Sequence, residues 1–282
     1  MVNSRNSLTV IVCLICVFQI NPALLRRLSH FKRFGQVPGT LESNDIQSSS
    51  LFFKGKGFQP ETTGARHGSI VLECEAGGSP PPTIHWLKNG IRISQGSSKN
   101  IIREDETSYE DRTNTGSNML RLSSTRSRLF LDCLGKASQG QYSCVAENAL
   151  IRKSRTTFLK VENSIMYPDL KKCVGKKYKK GEPARIYMWT VSRLEYINNM
   201  VQLFCRAQGF PKPTITWYRE NKPIENDDDY QITDNGDLII KDITWERHRF
   251  SYYCVASNVY GTDAAEAFLY PTLQEDFGLP YE

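Results

Sequence analysis

The chain has 282 residues, of which 39% are hydrophobic and 23% are charged, and its formal net charge is +6. This length accommodates two domains of about 100 residues each, together with a leader and a linker. The charge is uneven, because residues 186–282 contain eight Lys or Arg against 15 Asp or Glu. Such a distribution does not fit a nucleic-acid-binding protein, which would spread basic residues over a folded face.

The first 23 residues are predicted to be a secretory signal peptide (1–23). Arg5 precedes an apolar run from Leu8 to Ile20, which is short for a membrane span, and Ala23 is the best small residue for cleavage. An uncleaved membrane anchor is the alternative. Residues 24–59 are predicted to be a disordered leader, because basic residues and a Ser/Gly-rich run replace branched apolar ones. We therefore expect a secreted, extracellular protein without a membrane span.

The rest of the chain contains an internal repeat, in which seven residue identities recur 131 positions apart. The recurring pairs are Cys74/Cys205, Gly78/Gly209, Pro80/Pro211, Pro82/Pro213, Thr83/Thr214, Ile84/Ile215 and Trp86/Trp217. Each repeat then ends in a Tyr two residues before a second Cys, Tyr142 before Cys144 and Tyr252 before Cys254. This series is typical of an immunoglobulin sandwich, whose sheets are joined by a disulfide beside a buried Trp. The sequence therefore predicts an all-β protein of two tandem immunoglobulin-like (I-set type) β-sandwiches.

The first sandwich is predicted over residues 60–162, with Trp86 and Tyr142 in its core. Its Trp-to-Cys separation exceeds that of the second sandwich by 21 residues, which places a polar excursion within residues 94–116. One interpretation is a solvated loop or an extra edge strand. The other is a partner-binding loop, with Arg103, Tyr109 and Arg112 as candidate contacts. His85, next to Trp86 on the opposite strand face, is expected at the surface.

The cysteines fit an oxidising compartment, because six remain once Cys13 and Cys16 leave with the signal peptide. The immunoglobulin pattern predicts the disulfides Cys74–Cys144 and Cys205–Cys254. Cys133 is expected at the corner between two strands, and Cys173 just past the last strand, at the same pole of the first sandwich. We therefore predict a third disulfide, Cys133–Cys173. A zinc site is the rival interpretation, but the cysteines lack CxxC pairing and an accompanying histidine, so no metal is predicted.

The predicted linker, residues 163–183, is rich in lysine. Six lysines lie within ten residues: Lys171, Lys172, Lys176, Lys177, Lys179 and Lys180. Such density attracts polyanions such as heparan sulfate, acidic lipid surfaces or an acidic protein. The alternative is a solvated interdomain linker.

The second sandwich is predicted over residues 184–272, with Trp217 and Tyr252 in its core, followed by a tail over 273–282. The acidic run Asp227–Asp229 lacks the alternating spacing of a calcium loop. The sequence has no GxSxG, HExxH, P-loop or dinucleotide-binding motif, so neither catalytic residues nor a cofactor are predicted.

Several segments of the sequence resemble those of a known protein family. They are Arg128–Cys133, Cys173 ahead of Ala184–Trp189, Asn235–Trp245, Cys254–Asn258 and Phe268–Thr272. With them the chain resembles the small secreted two-immunoglobulin proteins of nematodes, the zwei-Ig proteins. It also resembles their insect relative, an ecdysone-inducible protein that binds insulin-like peptides. One departure is Ser138 and His248, which stand where most such domains have an aspartate that pairs with an arginine, so that bridge is expected to be missing.

The resemblance implies a non-enzymatic binding protein and two possible roles. The nematode proteins help to hold axons in position, which implies a neuronal surface or matrix receptor as partner. The insect protein sequesters insulin-like peptides and dampens growth signalling. A homophilic adhesion module is a third possibility. Sandwich cores specify the fold and loops specify the partner, so the core residues do not choose among these roles.

Overall fold

The structure is a computed structural model, and it describes residues 49–96, 113–114, 120–165, 173 and 181–273. The predicted signal peptide, most of the predicted leader and nearly all of the predicted tail lie outside these residues. No helix in the described ranges is long and apolar enough to cross a membrane.

The first sandwich consists of two sheets. Its strands are β1 (Ser50–Phe53), β2 (Glu61–Arg66), β3 (Ile70–Ser79), β4 (Thr83–Lys88), β5 (Ile91–Arg92), β6 (Leu122–Leu131), β7 (Gly140–Glu147) and β8 (Arg152–Ile165). One sheet has the order β2-β8-β7-β4-β5, and the other begins β1-β3-β6. A single 3-10 turn, Lys136–Ser138, lies between β6 and β7.

The prediction that residues 24–59 are disordered is wrong at its C-terminal end. Residues 50–53 form β1, which pairs antiparallel with the end of β3. Leu51 is buried in the core, and the Phe58 ring lies 5.8 Å from the Trp86 ring. The apolar residues Leu51, Phe52, Phe53 and Phe58 follow the Ser-rich run closely, so they supply the burial that a disordered segment lacks.

The second sandwich repeats the plan. Its strands are β9 (Glu182–Tyr196), β10 (Val201–Leu203), β11 (Cys205–Phe210), β12 (Thr214–Arg219), β13 (Lys222–Pro223), β14 (Tyr230–Ile232), β15 (Leu238–Ile240), β16 (Ser251–Asn258) and β17 (Gly261–Thr272). A short helix, α1 (Trp245–His248), precedes β16. The order β9-β17-β16-β12-β13 forms one layer, and β10-β15-β14 faces it.

The two sandwiches share a sheet through β9. Residues 188–194 of β9 pair antiparallel with residues 122–127 of β6, while other parts of β9 pair with β11 and, in parallel, with β17. In an isolated immunoglobulin sandwich the neighbour of this β6-type strand is the domain's own fourth strand. Here the first strand of the second sandwich takes that place, and the resulting sheet has nine strands within the described part of the chain.

Each sandwich keeps its own hydrophobic core, and a small third cluster joins them. The core of the first is built around Trp86 and that of the second around Trp217. The third cluster packs Phe130 of β6 against Tyr187, Met188 and Phe204. The junction is therefore held by apolar packing as well as by backbone hydrogen bonds.

Candidate functional site

The repeated core residues of the first sandwich are structural. Cys74 and Cys144 are disulfide-bonded with their Cα atoms 6.4 Å apart. Trp86 beside them is fully buried, and its indole Nε1 donates a hydrogen bond to Ser127 Oγ at 3.0 Å. Because these groups are shielded from solvent, they stabilise the fold and do not meet a partner.

The second sandwich has the same arrangement. Cys205 and Cys254 are bonded with Cα atoms 6.4 Å apart, and the buried Trp217 donates from Nε1 to the carbonyl oxygen of Gly236 at 2.8 Å. Both indoles thus have a partner, as a buried donor requires.

The base of each sandwich differs from the aspartate–arginine pattern. In the first, the Tyr142 hydroxyl donates to the carbonyl oxygen of Ser138 at 2.8 Å. In the second, buried His248 accepts a hydrogen bond at Nδ1 from the backbone N–H of Thr244 at 2.9 Å. Burial, and then the nearby charge of Arg247, lower the pKa of His248. Burial also raises the pKa of Tyr252.

Cys133 and Cys173 are bonded to each other in the structure. Their Cα atoms lie 5.3 Å apart, and Cys133 directly follows Asp132 at the end of β6. The Asp132 carboxylate pairs with Arg185 of β9 at 2.8 Å. The third disulfide therefore fixes the linker next to the junction. Within the described ranges, no group of three or more His, Cys, Asp or Glu side chains could hold a metal ion.

A buried carboxylate fastens the junction at its other end. Glu195 of β9 is fully buried and pairs with the equally buried Arg193 at 2.8 Å. It also accepts hydrogen bonds from the backbone N–H groups of Leu120 and Arg121, which lead into β6, at 2.9 and 3.0 Å. Asn199 Nδ2 donates to it at 3.2 Å. One side chain thus connects both sandwiches.

The excursion of the first sandwich also reaches the second one. Buried Asn114 donates from Nδ2 to the carbonyl oxygen of Met200 and accepts from the Met200 N–H, both at 3.0 Å. The candidate contacts Arg103, Tyr109 and Arg112 lie outside the described residues. Part of the excursion therefore forms a contact between the two sandwiches. Neither the interpretation as a solvated loop or edge strand nor that as a partner-binding loop predicted this contact.

Charged side chains cover the outer surface of β3 and β6 beside the junction. Arg128 pairs with Glu73 at 3.0 Å, and Arg126 pairs with Glu73 and Glu75. The Arg128 guanidinium also lies 4.6 Å from the centre of the Trp189 ring of β9, a cation–π geometry. These pairs satisfy one another, so this surface offers few free charges to a partner.

Apolar side chains cross the junction in register on a neighbouring part of the same sheet. Leu122 of β6 is the Cα partner of Leu194 of β9, which in turn is the partner of Tyr270 of β17. Directly paired residues project from the same face of a sheet, so the three form a row that spans both sandwiches. All three are half-buried.

Further aromatic residues extend this row on the second sandwich. Phe268 and Tyr253 are 40% and 43% exposed. The Trp245 ring meets the Tyr270 ring edge-on at 5.2 Å, and the Arg249 guanidinium lies 4.4 Å from the centre of the Trp245 ring. We call the set Leu122, Leu194, Tyr253, Phe268, Tyr270 and Trp245 the seam face. Exposed aromatic residues beside an arginine are typical of protein-binding surfaces.

Neither the seam face nor the Glu195 contacts at the junction were predicted from the sequence, although one signal was present. Arg193 and Glu195 interrupt a strand that is otherwise rich in apolar and aromatic residues, and buried charges of this kind are paired. The six linker lysines lie outside the described residues. The expectation for His85 is wrong, because His85 is 7% exposed and contacts Glu147 at 3.2 Å between β4 and β7.

In the acidic run of the second sandwich, the carboxylates of Asp227 and Asp229 already contact groups of that same sandwich. Asp227 Oδ1 accepts hydrogen bonds from the N–H groups of Asp229 and Tyr230 at 2.8 and 2.7 Å. Asp229 pairs with Arg247 at 2.6 Å. These contacts describe a self-capped turn.

Comparison with known proteins agrees with this architecture. The immunoglobulin domain family model matches residues 57–148 and 188–258. The Zwei Ig domain protein zig-2 of Caenorhabditis elegans is 31% identical over 205 residues, covering 72% of this chain and 79% of that protein. The neural/ectodermal development factor IMP-L2 of Drosophila melanogaster is 29% identical over 211 residues, covering 74% and 72%. The crystal structure of IMP-L2 matches with a TM-score of 0.58 at 24% identity, covering 83% of this chain and all of that one.

Proposed function

Since the chain belongs to the two-immunoglobulin-domain family that includes the zwei Ig proteins and IMP-L2, we propose that it is an extracellular protein-binding protein whose partner docks on the seam face. The family consists of immunoglobulin-domain proteins and not of enzymes. The observation that carries the proposal is the apolar row Leu122, Leu194 and Tyr270, which runs across the junction.

The junction makes this face a firm platform. Shared strand pairing, the Glu195 hydrogen bonds and the Cys133–Cys173 disulfide all hold the two sandwiches in one arrangement. A face that is rigid before binding loses little conformational entropy on binding, which favours affinity. Trp and Tyr side chains with an adjacent Arg are also the types that dominate binding energy at interfaces.

The proposal includes secretion. The predicted signal peptide over residues 1–23 supports it, and so do the disulfides that join Cys74, Cys133 and Cys205 to their partners. Disulfides of this kind persist in oxidising compartments and are rare in the cytosol.

The proposed partner is a receptor or matrix protein on neurons, with a role in keeping axons in position. The relationship to the zwei Ig proteins supports this choice, and one relative is named a neural/ectodermal development factor. The predicted attraction of the linker lysines to heparan sulfate is compatible with it, because that polyanion would hold the protein near cell surfaces.

This role is testable by measuring how the purified full-length protein binds to live neurons of its own organism. Saturable binding is expected, with Phe268→Glu weakening it at least tenfold because a charge would enter the apolar contact. Ile91→Ser is the matched control, since Ile91 is 75% exposed and begins strand β5 of the first sandwich. Equal binding by Phe268→Glu would remove the seam face from the account.

An insulin-like peptide is the second candidate partner. The favouring observation is that the seam face spans two sandwiches, so it offers one continuous surface to a small folded hormone. Biolayer interferometry against the organism's own insulin-like peptides at physiological salt tests this candidate. Saturable nanomolar binding would make the protein a hormone-sequestering antagonist, and absence of binding across the panel would reject that role.

A further inference from the structure

A one-turn helix connects a buried histidine to the seam face. Helix α1 begins at Trp245, which belongs to the seam face, and ends at His248, which is fully buried. The next residue, Arg249, places its guanidinium 4.4 Å from the centre of the Trp245 ring. A change at His248 that loosens α1 therefore also reaches the aromatic part of the seam face.

His248 is held in its neutral form by the hydrogen bond at Nδ1. The backbone N–H of Thr244, 2.9 Å away, can only donate, so Nδ1 accepts and the single ring proton is on Nε2. Among the described residues, Nε2 has no hydrogen-bond partner. In this part of the chain a charged ring would therefore gain no acceptor at Nε2 to offset its loss of hydration.

The charges around the ring of His248 give a positive charge little support. The charged and titratable groups in this part of the sandwich are Arg247 of α1, Arg219 of β12, Asp229 and Tyr230 at the start of β14, and Tyr252 of β16. Both arginines oppose a charged ring, and Asp229, which favours it, already pairs with Arg247 at 2.6 Å. The Tyr230 ring meets the ring of His248 edge-on, with centres 5.9 Å apart. Burial, and then the charge of Arg247, lower the pKa of His248.

A second proton on His248 would enter the contact that closes α1. It would bind to Nδ1, where the new N–H would face the N–H of Thr244 and break their hydrogen bond. The same two residues make the backbone hydrogen bond of the turn, from the His248 N–H to the Thr244 carbonyl oxygen at 3.1 Å. With four residues, α1 has no second turn to hold it once this one opens. Opening so short a segment needs less free energy than unfolding the sandwich, because the disulfide-bonded core stays intact.

We propose that protonation of His248 opens α1 and thereby releases the partner from the seam face in a mildly acidic compartment. The regulated site is the seam face, so this role rests on the proposed function. A secreted protein meets such acidity in endosomes after uptake by a cell.

The working pH range follows from the two states of α1. In the open state His248 has the ordinary pKa of histidine, 6.5, and in the closed state its pKa is lower. The closed, binding-competent state is therefore fully favoured above pH 6.5 and is lost progressively as the pH falls below that value. One linked proton shifts this equilibrium by at most about tenfold per pH unit, or about 30-fold between pH 6.5 and pH 5.

The first test is binding of the purified full-length protein to live neurons at about pH 7 and about pH 5. The wild type should lose at least about threefold in affinity at the lower pH. His248→Asn places an amide oxygen near the position of Nδ1 but does not titrate, so it should bind equally at the two pH values. His85→Gln is the matched control, because His85 is a buried histidine of the first sandwich, and it should lose affinity like the wild type. Equal loss in the wild type and His248→Asn, or no loss in the wild type, would overturn the proposal.

The second test follows α1 without any partner, by hydrogen–deuterium exchange of the full-length protein. After correction for the intrinsic pH dependence of exchange, residues 243–250 of the wild type should lose protection at about pH 5, whereas residues 254–258 of β16 should not. Unchanged protection of residues 243–250 would refute the switch, even if His248→Asn did not fold. Failure of the seam face as the binding site would appear separately, as equal binding by Phe268→Glu and the wild type at about pH 7.

Discussion

Removal of the Glu195 carboxylate should destabilise both sandwiches together. Glu195→Ala would remove a fully buried carboxylate and break its ion pair with the equally buried Arg193. The N–H groups of Leu120 and Arg121 would also lose their acceptor. Breaking a buried ion pair in this way costs about 3–5 kcal/mol. For a folded region of this size that corresponds to a fall in melting temperature of about 10 °C.

The assay is urea and thermal unfolding of the full-length protein, followed by circular dichroism and tryptophan fluorescence. Glu61→Ala is the matched control, because Glu61 pairs with Lys160 at 3.8 Å with both side chains more than half exposed. Such a surface pair contributes less than about 1 kcal/mol. If Glu195→Ala unfolded within about 1 kcal/mol of the wild type, the argument that Glu195 fastens the junction would fail.

Three further predictions concern the cores and the linker. The pKa of His248 is lowered in the folded state, so the unfolded state binds the proton more readily. The free energy of unfolding should therefore fall as the pH drops below 6.5, the ordinary pKa of histidine. His248→Gln should remove that fall, as measured by urea unfolding at several pH values. Ser127→Ala leaves the buried Trp86 N–H without its acceptor and should cost about 1–3 kcal/mol in urea unfolding. Replacing Cys133 and Cys173 together by Ser opens a loop of 40 residues and should cost about 2–4 kcal/mol in thermal unfolding.

Each of these predictions has a result that would contradict it. An identical pH dependence in the wild type and His248→Gln would assign the acid sensitivity to other groups. Unchanged stability in Ser127→Ala would mean that water replaces the hydroxyl. A double cysteine variant that is as stable as the wild type would show that strand pairing alone fixes the linker.

The fold class was predictable because immunoglobulin cores impose residue types at fixed spacings. A tryptophan beside an inter-sheet disulfide recurs in both repeats, and the prediction of two sandwiches is confirmed, as is the family resemblance. Strand β1 was missed because its four residues follow a Ser-rich run, and its pairing partner at the end of β3 is distant in sequence. Local composition does not reveal such a partner.

The candidate site was not predictable from the sequence in the same way. Leu122, Leu194 and Tyr270 are separated by up to 148 positions, and they meet only because β9 occupies the place of a fourth strand next to β6. That choice depends on competition between strands from two domains, which no local pattern encodes. The charges of Arg193 and Glu195 within an apolar strand are visible in the sequence. The hydrogen bonds of Glu195 with the chain entering β6 are not.

The central claim is that the partner contacts both sandwiches across the junction. The most direct measurement is the binding curve on live neurons for two variants, one on each side of the junction: Leu122→Ser in β6 and Phe268→Glu in β17, with Ile91→Ser as control. The account predicts that both variants lose at least tenfold in affinity while the control binds like the wild type. A loss confined to one variant, or to neither, would contradict it.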